Sequence, residues 1–191
     1  ENVKAAKKAL GIPEDKEFFV VPEAYEYFSS KKAQWASHED NWNKEFDAWS
    51  NENPELRKMW DAFHNNEAMG DFPLPEFSST DKMATRDASG KTLNAMCQRY
   101  KNIVGGSADL AGPNKTILKD CDGIFAPENR KGRMIEYGIR EFAMSAFVSG
   151  MCLHGGLRPF CATFLIFADY LRPQLRLAAL MKLPVTYVFT H

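Results

Sequence analysis

The fold is decided by YGIREFAMSAFVSGMCLHGGLRPFCATF, residues 137–164. Residues 140–154 read as a helix, and the glycine pair at 155–156 closes it. Residues 159–163 then read as an extended, apolar segment. A helix followed at once by a buried strand is half of a parallel repeat. The rest of the repeat lies on either side. Upstream, residues 82–100 read as a helix, 102–104 as a short strand running into GGSAD, and 133–137 as strand-like. Downstream, residues 167–181 read as a helix and VTYVFT at 185–190 as a strand. Alternating strands and helices imply an α/β domain, with a parallel sheet covered on both faces. Residues 110–132 carry no periodicity and form a long excursion, of the kind that is usually functional or mobile.

The first eighty residues differ in texture, being polar and rich in tryptophan and asparagine. Residues 1–10 read as a short helix ended by Gly11 and Pro13, and residues 16–21 as a brief extended segment. Pro22 suits the first turn of a long helix. In that helix Phe28, Trp35, Trp42, Phe46 and Trp49 recur on one side, which predicts packing against a neighbouring helix. Residues 54–65 read as a second helix. The turn formers of GDFPLPEFSSTD place a boundary near residues 70–82. The expected organisation is therefore a helical connector over 1–81 and an α/β domain over 82–191.

Composition excludes several classes. A formal net charge of -1 argues against nucleic acid as the main partner, because phosphate binding needs a basic surface. No apolar run reaches the roughly 20 residues needed to cross a bilayer, and the first ten residues lack a signal-peptide core. Cys97, Cys121, Cys152 and Cys161 form no CxxC pair and read as reduced core residues of a cytoplasmic protein. No cluster has metal-ligand spacing.

In parallel sheets ligands sit beyond the carboxyl ends of the strands, which directs attention to Asp109, Glu141 and His191. Glu141 opens a helix, where the dipole favours a carboxylate, so capping or an ion pair with Arg140 would explain it. Its neighbours Ile139, Phe142, Ala143 and Met144 are apolar, which favours a carboxyl that keeps its proton for hydrogen bonding. Asp109 follows Gly105 and Gly106, which let the backbone approach something closely; a turn-forming aspartate is the alternative. Phe160, Phe164, Phe167 and Tyr170 read either as core or as a wall against a planar ring.

GGSADL at 105–110, YGIREFAM at 137–144, LHGGLRPF at 153–160, ATFLIFADYLR at 162–172 and VTYVFTH at 185–191 together resemble the pyrimidine-binding domain of transketolases. Thr85–Arg86 fits the segment that opens that domain. Residues 1–81 are more loosely similar to the end of the family's diphosphate-binding domain and its connector. The resemblance implies a thiamine diphosphate enzyme that moves a two-carbon ketol unit from a ketose phosphate to an aldose phosphate. It implies a homodimer whose subunits share the active site, and Mg2+ or Ca2+ held by ligands outside this chain. By motif, Glu141 would bond the ring nitrogen N1′ of the aminopyrimidine. Phe164, Phe167, Tyr170 and Ile139 would line its pocket, and Asp109 and Leu110 would lie near the thiazolium. Arg86 would hold the sugar phosphate, and His191 would contact the substrate.

Pro113 stands where the family carries a phosphate-holding serine, so Asn114 or Lys115 substitutes or phosphate binding is weaker. This keeps dihydroxyacetone synthase, with formaldehyde as acceptor, beside the first reading. The wording of ATFLIFADYLR and GGSADL argues against deoxyxylulose-phosphate synthase and oxo-acid dehydrogenases. A non-catalytic interaction module is the reading from a different class. The fragment alone is expected to be inactive, because the diphosphate and metal ligands belong to a domain it lacks.

Overall fold

A computed structural model describes residues 1–191, in two compact units, Glu1–Pro54 and Glu55–His191.

The first unit is helical. Helix α1 (Asn2–Ala9) ends where Gly11 takes a positive φ and Ile12 N–H reaches back to Lys7 O at 2.8 Å. Residues 16–21 do not form the expected strand. They have no partner strand, and Phe18 turns the chain at φ +48 with its ring almost fully exposed. Helix α2 (Pro22–Glu52) starts with proline in its first turn, as its sequence predicts.

The aromatic stripe of α2 departs from expectation. None of its residues is buried, and Trp35 and Trp42 are 49% and 53% exposed. The rings pack on one another instead. Trp42 and Phe46 stack with centroids 4.9 Å apart, and Phe46 and Trp49 follow at 5.7 Å. Helical spacing fixes which side the rings share; it does not supply a surface to bury them.

The second unit holds α3 (Pro54–His64, which begins at the unit boundary), α4 (Thr85–Arg99), β1 (Ile103–Ser107), α5 (Ala111–Asn114), α6 (Glu141–His154), β2 (Arg158–Phe164), α7 (Ala168–Leu180) and β3 (Thr186–Thr190). The strands are parallel, in the order β1-β2-β3, with Gly105 beside Phe160 and Phe160 beside Thr186. Successive side chains of β2 enter opposite faces, as the strand period requires. Phe160 packs with Cys97, Ile103, Leu118 and Cys121 beneath α4. Cys161 packs with Met144, Val148 and Leu171 of α6 and α7. The sheet is thus covered on both faces, and all four cysteines are free thiols.

The strand-like segment 133–137 contracts to isolated bridges at Met134, one to Ile124 and one to Gly105 on the far side of β1, where Ile135 N–H donates to Gly105 O at 2.8 Å. Arg133 ties this segment to β1 and α4, its main-chain carbonyl accepting from Gly105 N–H at 3.0 Å. Its buried guanidinium turns to the end of α4 and donates from Nη1 to the carbonyls of Cys97, Lys101 and Tyr100 at 3.0, 3.2 and 3.3 Å. Flanked on both sides, β1 has no room for side chains at its centre. A Cβ on Gly105 would lie 2.1 Å from Phe160 O, and one on Gly106 would lie 1.9 Å from Ile135 O. What the glycine pair admits so closely is neighbouring backbone, not a phosphate.

Candidate active site

Beyond the carboxyl ends of β1 and β2 opens a cleft of ≈ 720 Å³ lined by Asp109, Leu110, Ile139, Glu141, Phe142, Phe167 and Tyr170, among others. Its parts come from three chain turns. After β1, Ser107 O accepts from Asp109 N–H at 2.9 Å, and Asp109 sits at φ +59, a left-handed conformation that aspartate tolerates. After residue 137, Gly138 at φ +65 allows the tight turn in which Arg140 N–H meets Gly138 O at 2.8 Å. The positive φ itself is what calls for glycine here; the Arg140 guanidinium, 2.3 Å from where a Cβ would stand, could rotate away. After β2, a 3-10 turn (Leu165–Phe167) carries the chain into α7 and lifts Phe167 over the cleft.

Glu141 is the first residue of α6 and is buried. It makes no ion pair with Arg140, whose Nη1 donates to Tyr137 O at 3.1 Å instead. Its one hydrogen-bonding neighbour within the chain is the fully buried Thr163, whose hydroxyl approaches Oε1 at 3.5 Å. A carboxyl is thereby held at the base of an apolar cleft with most of its hydrogen-bonding capacity unspent. Around it Ile139 and Tyr170 are 78% and 65% exposed, large apolar groups facing open space. Phe164 is absent from the cleft lining; it stacks behind Phe167 with centroids 5.8 Å apart and planes at 11°.

Arg86 and His191 line a second cleft of ≈ 300 Å³, between the start of α4 and the end of β3. They hydrogen-bond to each other through Arg86 Nη1 and His191 Nε2. The His191 ring also lies 4.4 Å from that of Phe164, so the aromatic wall joins the two clefts. Nε of Arg86 is buried and has no partner.

The structure thus gathers six of the nine residues singled out above in one cleft, Arg86 and His191 in its neighbour, and Phe164 between them. Thr163 escaped the reading because it sits inside an apolar run, although a polar residue at the buried carboxyl end of a strand was the available signal. Neither residue offered in place of the missing serine is free at the cleft. Asn114 is fully buried, and Lys115 pairs with Asp87 at 3.4 Å. No three His, Cys, Asp or Glu side chains converge as a metal group, and no helix is long and apolar enough to cross a membrane.

Sheet, crossovers and cleft define an α/β domain with an open cleft at the carboxyl edge of a parallel sheet, the edge at which such sheets take ligands. Comparison with known proteins narrows this class. The profile of the transketolase pyrimidine-binding domain matches residues 81–191, and that of the transketolase thiamine diphosphate-binding domain matches residues 1–68. The chain belongs to the transketolase family. Over the whole chain it is 47% identical to the transketolase of Treponema pallidum and 42% identical to that of Bacillus subtilis, and it spans 29% of the length of each. Among solved structures, Pichia stipitis transketolase in complex with sedoheptulose 7-phosphate superposes with a TM-score of 0.82 at 30% identity. That match covers 99% of this chain and 29% of the other. Campylobacter jejuni transketolase gives 0.76 at 33%, covering 99% of this chain and 28% of its own.

Proposed function

We propose that the protein is a thiamine diphosphate-dependent transketolase, transferring a two-carbon ketol unit from a ketose phosphate to an aldose phosphate. The observation that carries this reading is Glu141, buried at the base of an apolar, aromatic-walled cleft with little of its hydrogen-bonding capacity used. The residues fit an aminopyrimidine. A planar heterocycle would lie against Phe167 and Tyr170 with Ile139 at its side, and a ring nitrogen would meet the one buried carboxyl. When bound, the cofactor supplies the electron sink that carbon–carbon cleavage needs.

The chain's own residues supply the rest. Glu141 holds a proton at the ring nitrogen and orients the ring, with Thr163 steadying the carboxyl. Asp109 and Leu110 bound the cleft on the β1 side, toward the thiazolium. Phe164 backs Phe167 and keeps the wall rigid. Arg86, with an unspent buried donor, binds the sugar phosphate, a task that suits a planar guanidinium. His191 contacts the sugar beside it. We also infer that residues 82–191 belong to the pyrimidine-binding domain, and 1–81 to the end of the diphosphate-binding domain and its connector. The assembly is a cytoplasmic homodimer in which the second subunit completes the cleft, and Mg2+ or Ca2+ is held outside this chain. The large apolar side chains around the cleft support this, since cleft walls of that kind are commonly completed by a partner.

The test is ketol transfer by the full-length protein, with thiamine diphosphate and Mg2+, from a ketose phosphate to an aldose phosphate. Activity is expected, and Glu141→Ala should reduce it by about 10²–10⁴-fold without unfolding the protein. Undiminished turnover in the variant would remove Glu141 from the mechanism. Transfer to formaldehyde alone would change the acceptor.

A further inference from the structure

A line of side-chain hydrogen bonds joins the carboxyl ends of β1 and β3, and nothing proposed above uses its inner members, Ser107, Asn114, Thr116 and Thr190. At its centre is Asn114, at 0% exposure. Its Nδ2 donates to Ser107 Oγ at 3.2 Å, and Ser107 Oγ lies 2.7 Å from Thr116 Oγ1. Its Oδ1 accepts from Thr190 Oγ1 at 2.5 Å. Thr190 Oγ1 lies 2.8 Å from His191 Nδ1, and His191 Nε2 meets Nη1 of Arg86. Ser107 and Thr116 are themselves buried, so the inner end of the line is sealed from water.

The directions of these bonds follow from the outer end. A guanidinium only donates, so His191 Nε2 accepts and the proton of the neutral ring sits on Nδ1. Nδ1–H therefore donates to Thr190 Oγ1. The Thr190 hydroxyl proton then goes to Asn114, which puts the amide oxygen, not the nitrogen, toward Thr190. The opposite amide orientation would send the Thr190 proton to Nδ1 and set a second donor against Arg86.

We propose that Asn114 is a positioning residue, whose buried amide oxygen acts through Thr190 to hold His191 in the Nδ1–H tautomer, with Nε2 accepting from Arg86 at the edge of the smaller cleft. An amide suits the task because it gives a donor to Ser107 and an acceptor to Thr190 at once. A sugar phosphate entering the cleft then meets an Arg86 guanidinium whose direction His191 fixes. That consequence rests on the proposed function; the tautomer does not.

The experiment is 15N spectroscopy of the full-length protein labelled at histidine, without substrate, with the His191 signals assigned by their loss in His191→Gln. Wild type and Asn114→Asp, which keeps the acceptor, should show the Nδ1–H pattern. Asn114→Leu and Thr190→Val should show mixed tautomers, because the exposed Arg86 contact alone does not hold the exposed ring once Nδ1–H loses its fixed acceptor. In assays of the same two variants, KM for the ketose phosphate should rise about ten-fold, with kcat close to wild type. An Nδ1–H pattern that persists in Thr190→Val overturns the proposal, and this near-isosteric variant decides the matter even where Asn114→Leu fails to fold. Loss of the pattern in Asn114→Asp as well overturns it too, since packing rather than the acceptor would then be responsible. A tautomer change in a protein without ketol transfer would leave the relay standing and remove the proposed function.

Discussion

The two units stabilise their helices in different ways. Glu1–Pro54 contains no buried residue, and its 31-residue helix α2 relies on a ladder of stacked rings. Glu55–His191 buries two apolar clusters on opposite faces of a sheet and fixes its buried polar groups with named partners. The contrast teaches that the same pattern, aromatics at helical spacing, has different energetic worth according to what lies opposite. Only the unit with a dense interior can hold a carboxyl at a defined depth, and only that unit carries the cleft.

The contrast can be tested from its strongest point downward. Phe160→Ala empties a site with 1% exposure beneath α4 and should cost about 3–5 kcal/mol in chemical denaturation. A loss near 1 kcal/mol would mean that this core is looser than the packing implies. Alkaline pH should act on the same interior. Burial pushes the Cys97 and Cys161 thiols up from 9.0 to about 12, with Cys121 adding to the effect on Cys97. Above pH 9 the unfolded chain ionises these thiols while the folded chain keeps them protonated. Stability should therefore be intact below pH 9 and fall as the pH rises toward 12. Replacing both cysteines by alanine should lessen that fall, whatever it does at neutral pH; Cys121, Cys152, Tyr137 and Tyr187, which burial also pushes up, keep the remainder. All four cysteines lie in the second unit, so the first should not share this dependence.

Arg86→Ala is expected to raise KM for phosphorylated sugars about ten-fold, and for unphosphorylated ones much less. Equal effects would make Arg86 a structural partner of His191 alone. The smallest effect belongs to Trp42→Ala, which removes one stacked pair from a half-exposed ladder and should cost about 0.5–1.5 kcal/mol. A cost as large as that of Phe160→Ala would show that α2 is buried by a surface outside its own unit.

Much of the second unit was legible because its strands are apolar, bounded by glycine and proline, and separated by helical stretches. The position of the candidate site was legible for the same reason, since parallel sheets present their carboxyl ends and Asp109, Glu141 and His191 follow strand ends or open helices there. Other features leave no local signature. Arg133 gave no sign that it would reach across to α4, because a capping side chain far away in sequence has no periodicity. Asn114 looked like a surface stand-in for serine, yet three-dimensional closure sealed it between two strands. The stretch 16–21 is apolar enough for a strand, but a strand needs a neighbour, and no local pattern encodes one.

The central glycines of β1 have a consequence for how such a sheet can change. A clash with a flexible side chain can be relieved by rotation, but the atoms facing Gly105 and Gly106 include main-chain carbonyl oxygens on both flanks. Only lateral spreading of whole strands would admit a methyl group there. Spreading on either side would drag the loop of Asp109 or the turn leading to Glu141 with it. Variation at these two positions is therefore closed off by the shape of the candidate cleft as much as by stability, and a rescue would have to arise in a neighbouring strand.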